Sequence, residues 1–214
     1  MKLNEQKCNY MIFSRSQSKF ATRLKINDIN LDRIQSTKVL GVWVSEDLSW
    51  AKNCQEICRK SYSRLSMLTK LKYVGVSIED LIDIYILFIR SLTEYCSVAY
   101  HSSLTIEESN KLERIQKTSL KIILGHMYFD YESALEMCGI TTLHARRTER
   151  CLKFSLKCLK HTRNKNIFPL NTKTHGQGLP SKEPFEVNWA RTERYKRSAI
   201  PYCQRLLNEH HRAK

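Results

Sequence analysis

The hydrophobic pattern of this chain changes period once, near Trp50, and any fold it adopts has to contain that change. Before Trp50 the apolar residues come in short β-prone runs. Asn9 to Phe13 is one, ended by the polar stretch Ser14 to Lys19; Arg23 to Ile26 and Ile29 to Ile34 flank an Asn27-Asp28 turn and predict a hairpin; Val39 to Val44 predicts a further strand, the most hydrophobic of the set. After Trp50 the spacing becomes helical. Cys54, Ile57, Cys58, Ser61, Tyr62, Leu65, Leu68 and Leu71 share one face, with Lys52, Arg59 and Lys70 stacked opposite. The expected fold class is therefore α+β: a small N-terminal antiparallel β-sheet or hairpin, then a predominantly α-helical bundle.

The helices announce their own ends. Gly75 closes the first. Ser77 to Asp80 fits a capping box and opens an apolar helix expected to reach Tyr100, and Thr105 to Glu108 is a second capping box for a helix closed by Gly125. A short helix over Tyr131 to Cys138 stops at Gly139. Residues 142–161 then place Arg146, Arg150, Lys153, Lys157 and Lys160 at steps of three and four, one basic stripe without acidic partners at i+4. Broadly opposite lie Thr148, Cys151, Leu152, Ser155, Cys158 and Leu159. Three prolines and two glycines over 161–190 read as an irregular linker, and 191–214 as a basic, weakly helical tail split by Pro201. The expected domains are a β segment at 1–49, a bundle at 50–161, the linker at 162–190 and the tail at 191–214.

Composition matters at this point, because it selects a partner. Thirty-six Lys and Arg against 21 Asp and Glu leave a net charge of +15, a field that attracts polyanions. Nucleic acid is the first expectation; an anionic membrane surface met by the basic tail is a weaker one. No run approaches the ~20 apolar residues of a membrane span. The start has no apolar signal core, so an intracellular site, nuclear or cytoplasmic, is expected, with the eight cysteines as thiols. No phosphate-cradling glycine loop, zinc-binding spacing or nucleophile elbow is written here, and no catalytic residue, metal ligand or cofactor is assigned. The basic rows are the candidate site. Lys52, Arg59 and Lys70, and Arg146, Arg150, Lys153, Lys157 and Lys160, show solvent cations ~5–6 Å apart, a spacing suited to backbone phosphates.

Several collinear segments carry a resemblance: Leu3-Asn4-Glu5-Gln6-Lys7-Cys8, Met11-Ile12-Phe13-Ser14, Val39-Leu40-Gly41-Val42 with Asp47-Leu48-Ser49-Trp50, and Arg64-Leu65-Ser66-Met67-Leu68. It continues through Tyr85, Ile89-Arg90-Ser91-Leu92 with Glu94-Tyr95, Leu112 to Lys117, Ile122 to Gly125, Leu143 with Arg146-Arg147, and Arg191-Thr192-Glu193-Arg194. Together they resemble the C-terminal part of reverse transcriptases from jockey-like non-LTR retrotransposons, RNA-directed DNA polymerases. The resemblance implies that residues 1–49 correspond to the end of the palm and its primer-gripping hairpin, and the helices to the thumb and the helical region after it. It implies RNA or an RNA–DNA duplex as partner, held without sequence readout, and Lys7 near the incoming nucleotide. That family uses Mg2+ held by palm aspartates in a Tyr/Phe-x-Asp-Asp turn, which this chain lacks, and Cys8 replaces the family's threonine. The expectation is a truncated piece that does not polymerise alone, completed if at all by a separate palm-and-fingers polypeptide. A helical protein-interaction module, and a transposon relic without activity, stand as alternatives. The missing palm further predicts exposed apolar surface around Met11, Phe13 and Val42, and self-association.

Overall fold

A computed structural model describes residues 4, 7–13, 23–171, 174–175, 179–180 and 183–213. The chain forms two compact units, residues 1–56 and 57–214, with the boundary inside the first long helix. The fold is α+β, small two-stranded sheets with a predominantly helical remainder.

In the first unit, β1 (Asn9–Tyr10) pairs in parallel with β4 (Asp32–Arg33). β2 (Lys25–Ile26) and β3 (Ile29–Asn30) form the expected antiparallel hairpin. Asn27 and Asp28 turn it with φ of 44° and 65°, left-handed conformations that short polar side chains tolerate. The run 39–44 is not one strand. β5 (Ser36–Val39) and β6 (Val42–Ser45) are the two arms of a second hairpin, reversed at Leu40-Gly41, where φ is 46° and 91°. Gly41 supplies the positive φ that a tight hairpin turn demands, so its presence marked a reversal inside the apolar run. Val42 is buried, against the expectation that it is exposed; Phe13 is exposed as expected. The polar segment 14–22 lies outside the described residues, as do Leu3, Glu5 and Gln6 of the N-terminal motif.

The helical remainder starts within α1 (Ala51–Tyr73). Leu65 and Leu68 are buried on its apolar face, while Tyr62, assigned to the same face, is exposed. Ser77 caps α2 (Ile78–Ile84): its Oγ accepts from the Asp80 N–H and donates to Asp80 Oδ2, so the carboxylate closes on the hydroxyl rather than on the backbone. No single helix reaches Tyr100. α2 passes into a π-helical segment at Tyr85–Arg90, then α3 (Ser91–Glu94), a break at Cys96 with φ of 51°, and α4 (Ser97–Tyr100). The reason lies in the buried positions: Leu81, Tyr85, Ile89, Thr93 and Ser97 recur every four residues. An ideal helix of 3.6 residues per turn would rotate such a row by about 40° per step, and the wider π turn absorbs part of that drift. The apolar residues left over face outward, Leu87 at 67% and Phe88 at 50% exposure.

α5 (Ile106–Leu124) is the most regular element of the core. Thr105 and Glu108 form a complete capping box at its start, and Leu112, Ile115, Gln116, Ser119, Leu120, Ile123 and Leu124 give one buried face. α6 (Tyr131–Met137) is capped by Asp130, and α7 (Leu143–Lys160) by Thr142. Beyond α7 the structure departs from the linker-and-tail expectation. A short α8 (Glu193–Lys196) precedes α9 (Ala199–Arg212). Pro201 lies in the first turn of α9, where a missing N–H leaves no helical bond unmade, so the proline starts this helix instead of splitting it. Cys203 and Leu207 of α9 pack with Cys151 and Cys158 of α7 and with Phe168, and Phe185 joins them from the proline-rich stretch. The Asn208 amide holds both Phe185 N–H and C=O, at 3.0 Å each. Described parts of 162–190 are thus a strap over the core, and 199–212 is a core helix. Residues 172–173, 176–178, 181–182 and 214 lie outside the described set. Among the described residues no helix is long and apolar enough to cross a membrane.

Candidate nucleic-acid interface

α7 carries its cations on a helix whose start is fixed from below. Glu113 of α5 turns inward, and its two carboxylate oxygens accept from the Leu143 N–H at 3.0 Å and the His144 N–H at 3.3 Å. A carboxylate at a helix N-terminus meets both free donors and the positive end of the dipole. Tyr131 donates to the same carboxylate, and burial followed by this bond pushes its phenol well above the usual range. Gln116, fully buried, joins the set: its amide donates to Tyr131 Oη at 2.8 Å and Thr141 O at 3.0 Å, and its carbonyl accepts from Tyr85 at 2.6 Å. Both ends of this amide are therefore satisfied, and α5, α6 and α7 are locked by one network.

Behind α7, Arg147 is fully buried and donates from Nε to His101 Nδ1 at 3.3 Å and from Nη2 to Ser109 Oγ at 3.1 Å. Arginine can only donate, so His101 Nδ1 is an acceptor, the ring is neutral, and Nε2 donates to Thr148 Oγ1 at 3.0 Å. Burial, with Arg147 and His144 nearby, lowers the His101 pKa to about 3. Arg147 had no place in the basic stripe, which follows from its position one residue out of phase, on the buried side.

On the outer face the stripe is not free of carboxylates. Glu94, buried at the end of α3, accepts from Arg146 Nε at 3.2 Å, Arg150 Nη1 at 2.6 Å and Arg90 Nε at 3.3 Å. Glu149 pairs with Arg146 at 3.1 Å and Lys153 at 2.5 Å, and the contact with Lys153 holds its carboxyl below the usual range. The expectation of no acidic partner along the row is corrected: Glu149 sits four residues before Lys153. Glu94 was invisible to spacing because it comes from another helix. Lys157 and Lys160 lie in the last turn of α7, at its C-terminal end. Two carboxylates thus face six cations among the described residues, and the row keeps a positive surplus while its first arginines are held in place.

The other candidates belong to other elements of the chain. Lys52 is engaged within the first unit, its ammonium 4.1 Å from the centre of the Trp43 ring and 2.6 Å from Ser36 Oγ. Asn53 of the same helix accepts from the Trp43 N–H at 3.2 Å. Lys52 therefore anchors the β5–β6 hairpin to the start of α1. Lys70 and Arg59 are exposed on α1, and Lys7 is exposed in the N-terminal segment.

One basic row escaped the sequence reading. Arg114, Lys117 and Lys121 occupy the outer side of α5 at steps of three and four. Lys117 Nζ lies 4.7 Å from the centre of the Tyr131 ring and Lys121 Nζ 5.3 Å from that of Tyr128. The signal that could have found it was there: four basic residues, Lys111 to Lys121, on the face opposite Leu112, Ile115 and Ile123. Among the described residues no group of three or more His, Cys, Asp or Glu is placed to hold a metal ion. Comparison of the chain with protein-family models, with curated proteins and with solved structures finds no match in any of the three.

Proposed function

We propose that the helical unit binds the backbone of RNA or an RNA–DNA duplex without reading its sequence. The observation that supports this is the α7 face: Arg90, Arg146, Arg150, Lys153, Lys157 and Lys160 against Glu94 and Glu149. Arg146 and Arg150 sit partly at the surface with their orientation already set by Glu94, so little side-chain freedom remains to be lost when a phosphate approaches. Phosphate contacts of this kind position a duplex and carry no base information. The resemblance to the thumb region of a non-LTR retrotransposon reverse transcriptase is in keeping with the same partner, and with a palm-and-fingers polypeptide as a second one. No catalytic step is assigned to this chain.

The test is fluorescence anisotropy of a labelled RNA–DNA duplex at two salt concentrations. Binding that falls with log salt at a slope near −0.9 per phosphate neutralised, alike for unrelated sequences, is expected. Lys157→Glu with Lys160→Glu is expected to weaken all sequences equally. Failure to bind at low salt would reject the reading. A protein-interaction module is the second reading, favoured by Leu87, Phe88 and Tyr95, exposed at 67%, 50% and 52%; a salt-insensitive complex would point there.

A further inference from the structure

We infer that the segment between α5 and α6, with the outer row of α5, is a separate binding site for single-stranded nucleic acid, in which a base stacks on Phe129. Phe129 is 90% exposed and Met127 44%, in a six-residue connection between two well-packed helices. A bare phenylalanine in a short, ordered connection gains nothing for the fold, since its area stays in water. Tyr128 and Tyr131, on either side of it in sequence, are each faced by an ammonium. These cation–π contacts hold Lys117 and Lys121 near the connection, within reach of the phosphates that flank a base seated on Phe129. Arg114 continues the row one turn earlier.

The carboxylates nearby are mostly turned to other work. Glu113 caps α7, and Asp130 accepts from the Ser133 N–H at 2.9 Å and Ser133 Oγ at 2.6 Å, which lowers its pKa. Glu132 is exposed and opposes the row. An exposed aromatic surface with long-chain cations around it fits unpaired bases rather than a duplex, whose stacked bases offer no free face. Every base has such a face and stacking does not involve the ribose hydroxyl, so RNA and DNA single strands should bind alike. This site is distinct from the α7 face and does not depend on the duplex reading.

The experiment titrates the full chain into labelled oligouridylate and oligothymidylate of about 12 nucleotides, within the usual ~4–16 nucleotide site size, beside the RNA–DNA duplex. Phe129→Ala is expected to weaken both single strands roughly fivefold or more, with Phe129→Tyr restoring them, because stacking is worth that much per base and needs only a π-face. Duplex affinity should stay unchanged in Phe129→Ala, whereas Lys157→Glu with Lys160→Glu should reduce it. Glu132→Gln should tighten single-strand binding. Phe129 is too exposed for its loss to unfold the chain, so unaltered single-strand affinity in Phe129→Ala overturns the inference. So does an absence of single-strand binding at low salt, or a preference above roughly tenfold for one sugar, since stacking alone does not tell them apart. Loss of duplex binding alone would fall on the α7 reading and leave this one standing.

Discussion

Replacing Glu94 by glutamine tests the organisation of the α7 face most directly. The side chain of Glu94 is 7% exposed and accepts from three guanidiniums at 2.6, 3.2 and 3.3 Å. Removing one partner of a buried ion pair costs ~3–5 kcal/mol, because the other charge is left unpaired. Here the orphaned arginines are 14%, 32% and 44% exposed, so water recovers part of the loss, and about 3 kcal/mol is the appropriate figure. For a chain of this size that lowers Tm by roughly 6–12 °C. Glutamine is nearly isosteric, so packing contributes little to the change. The same substitution removes a negative charge from the binding face, while the glutamine oxygen still accepts from a guanidinium and keeps part of its orientation, so duplex affinity should rise and its salt slope steepen by about one phosphate contact. Differential scanning calorimetry and salt-dependent anisotropy on one preparation read both effects. A Glu94→Gln protein as stable as the parent would show that the three-arginine cluster is not what holds α3 against α7. Lower stability without stronger binding would show that the surplus charge does not face the nucleic acid.

Other outcomes follow from the buried polar groups. The His101 pKa is depressed in the folded state, so the unfolded chain takes up more protons as pH falls below about 6.5, and stability is lost from there down to about pH 3. At pH 5 the loss is about 2 kcal/mol, and urea melts should show this slope in the parent but not in His101→Asn. Gln116→Leu strands the Tyr85 hydroxyl and the Thr141 carbonyl in the core and should cost about 2–4 kcal/mol, read from urea unfolding curves. Gly41→Val places a β-branched residue at φ of 91° and should destabilise the 36–45 hairpin, seen as faster amide exchange there and not in α5.

Where local chemistry decides an element, the sequence was legible. The caps at Ser77 and Thr105, the glycine stops at Gly75, Gly125 and Gly139, and the Asn27-Asp28 turn are contacts within a few residues, and each stands where it was expected. Elements decided by distant packing were not legible. Pro201 reads as a breaker until it is known that α9 begins two residues earlier. The proline-rich stretch reads as a linker until Phe168 and Phe185 find the α7–α9 core. The same division runs through the candidate site. Spacing found the row on α7, but the pairing that holds its first two arginines comes from Glu94 on α3, 52 residues before Arg146. The α5 row was missed because its cations stand between core residues of a helix read only for its apolar face.

The π-helical segment at Tyr85–Arg90 has a consequence for how this chain tolerates length changes. A π turn is an α-helix with a residue added, so taking one residue out of it restores regular geometry instead of throwing the register off. Leu87 and Phe88 are the exposed members, so deleting Leu87 would leave Leu81 and Tyr85 on one side, and Thr93 and Ser97 on the other, still facing the core. Elsewhere in α5 or α7 a single-residue deletion would rotate every following buried side chain by about 100°. Among the described residues of the helical unit, the stretch from 85 to 90 is thus where removing one residue costs the fold least.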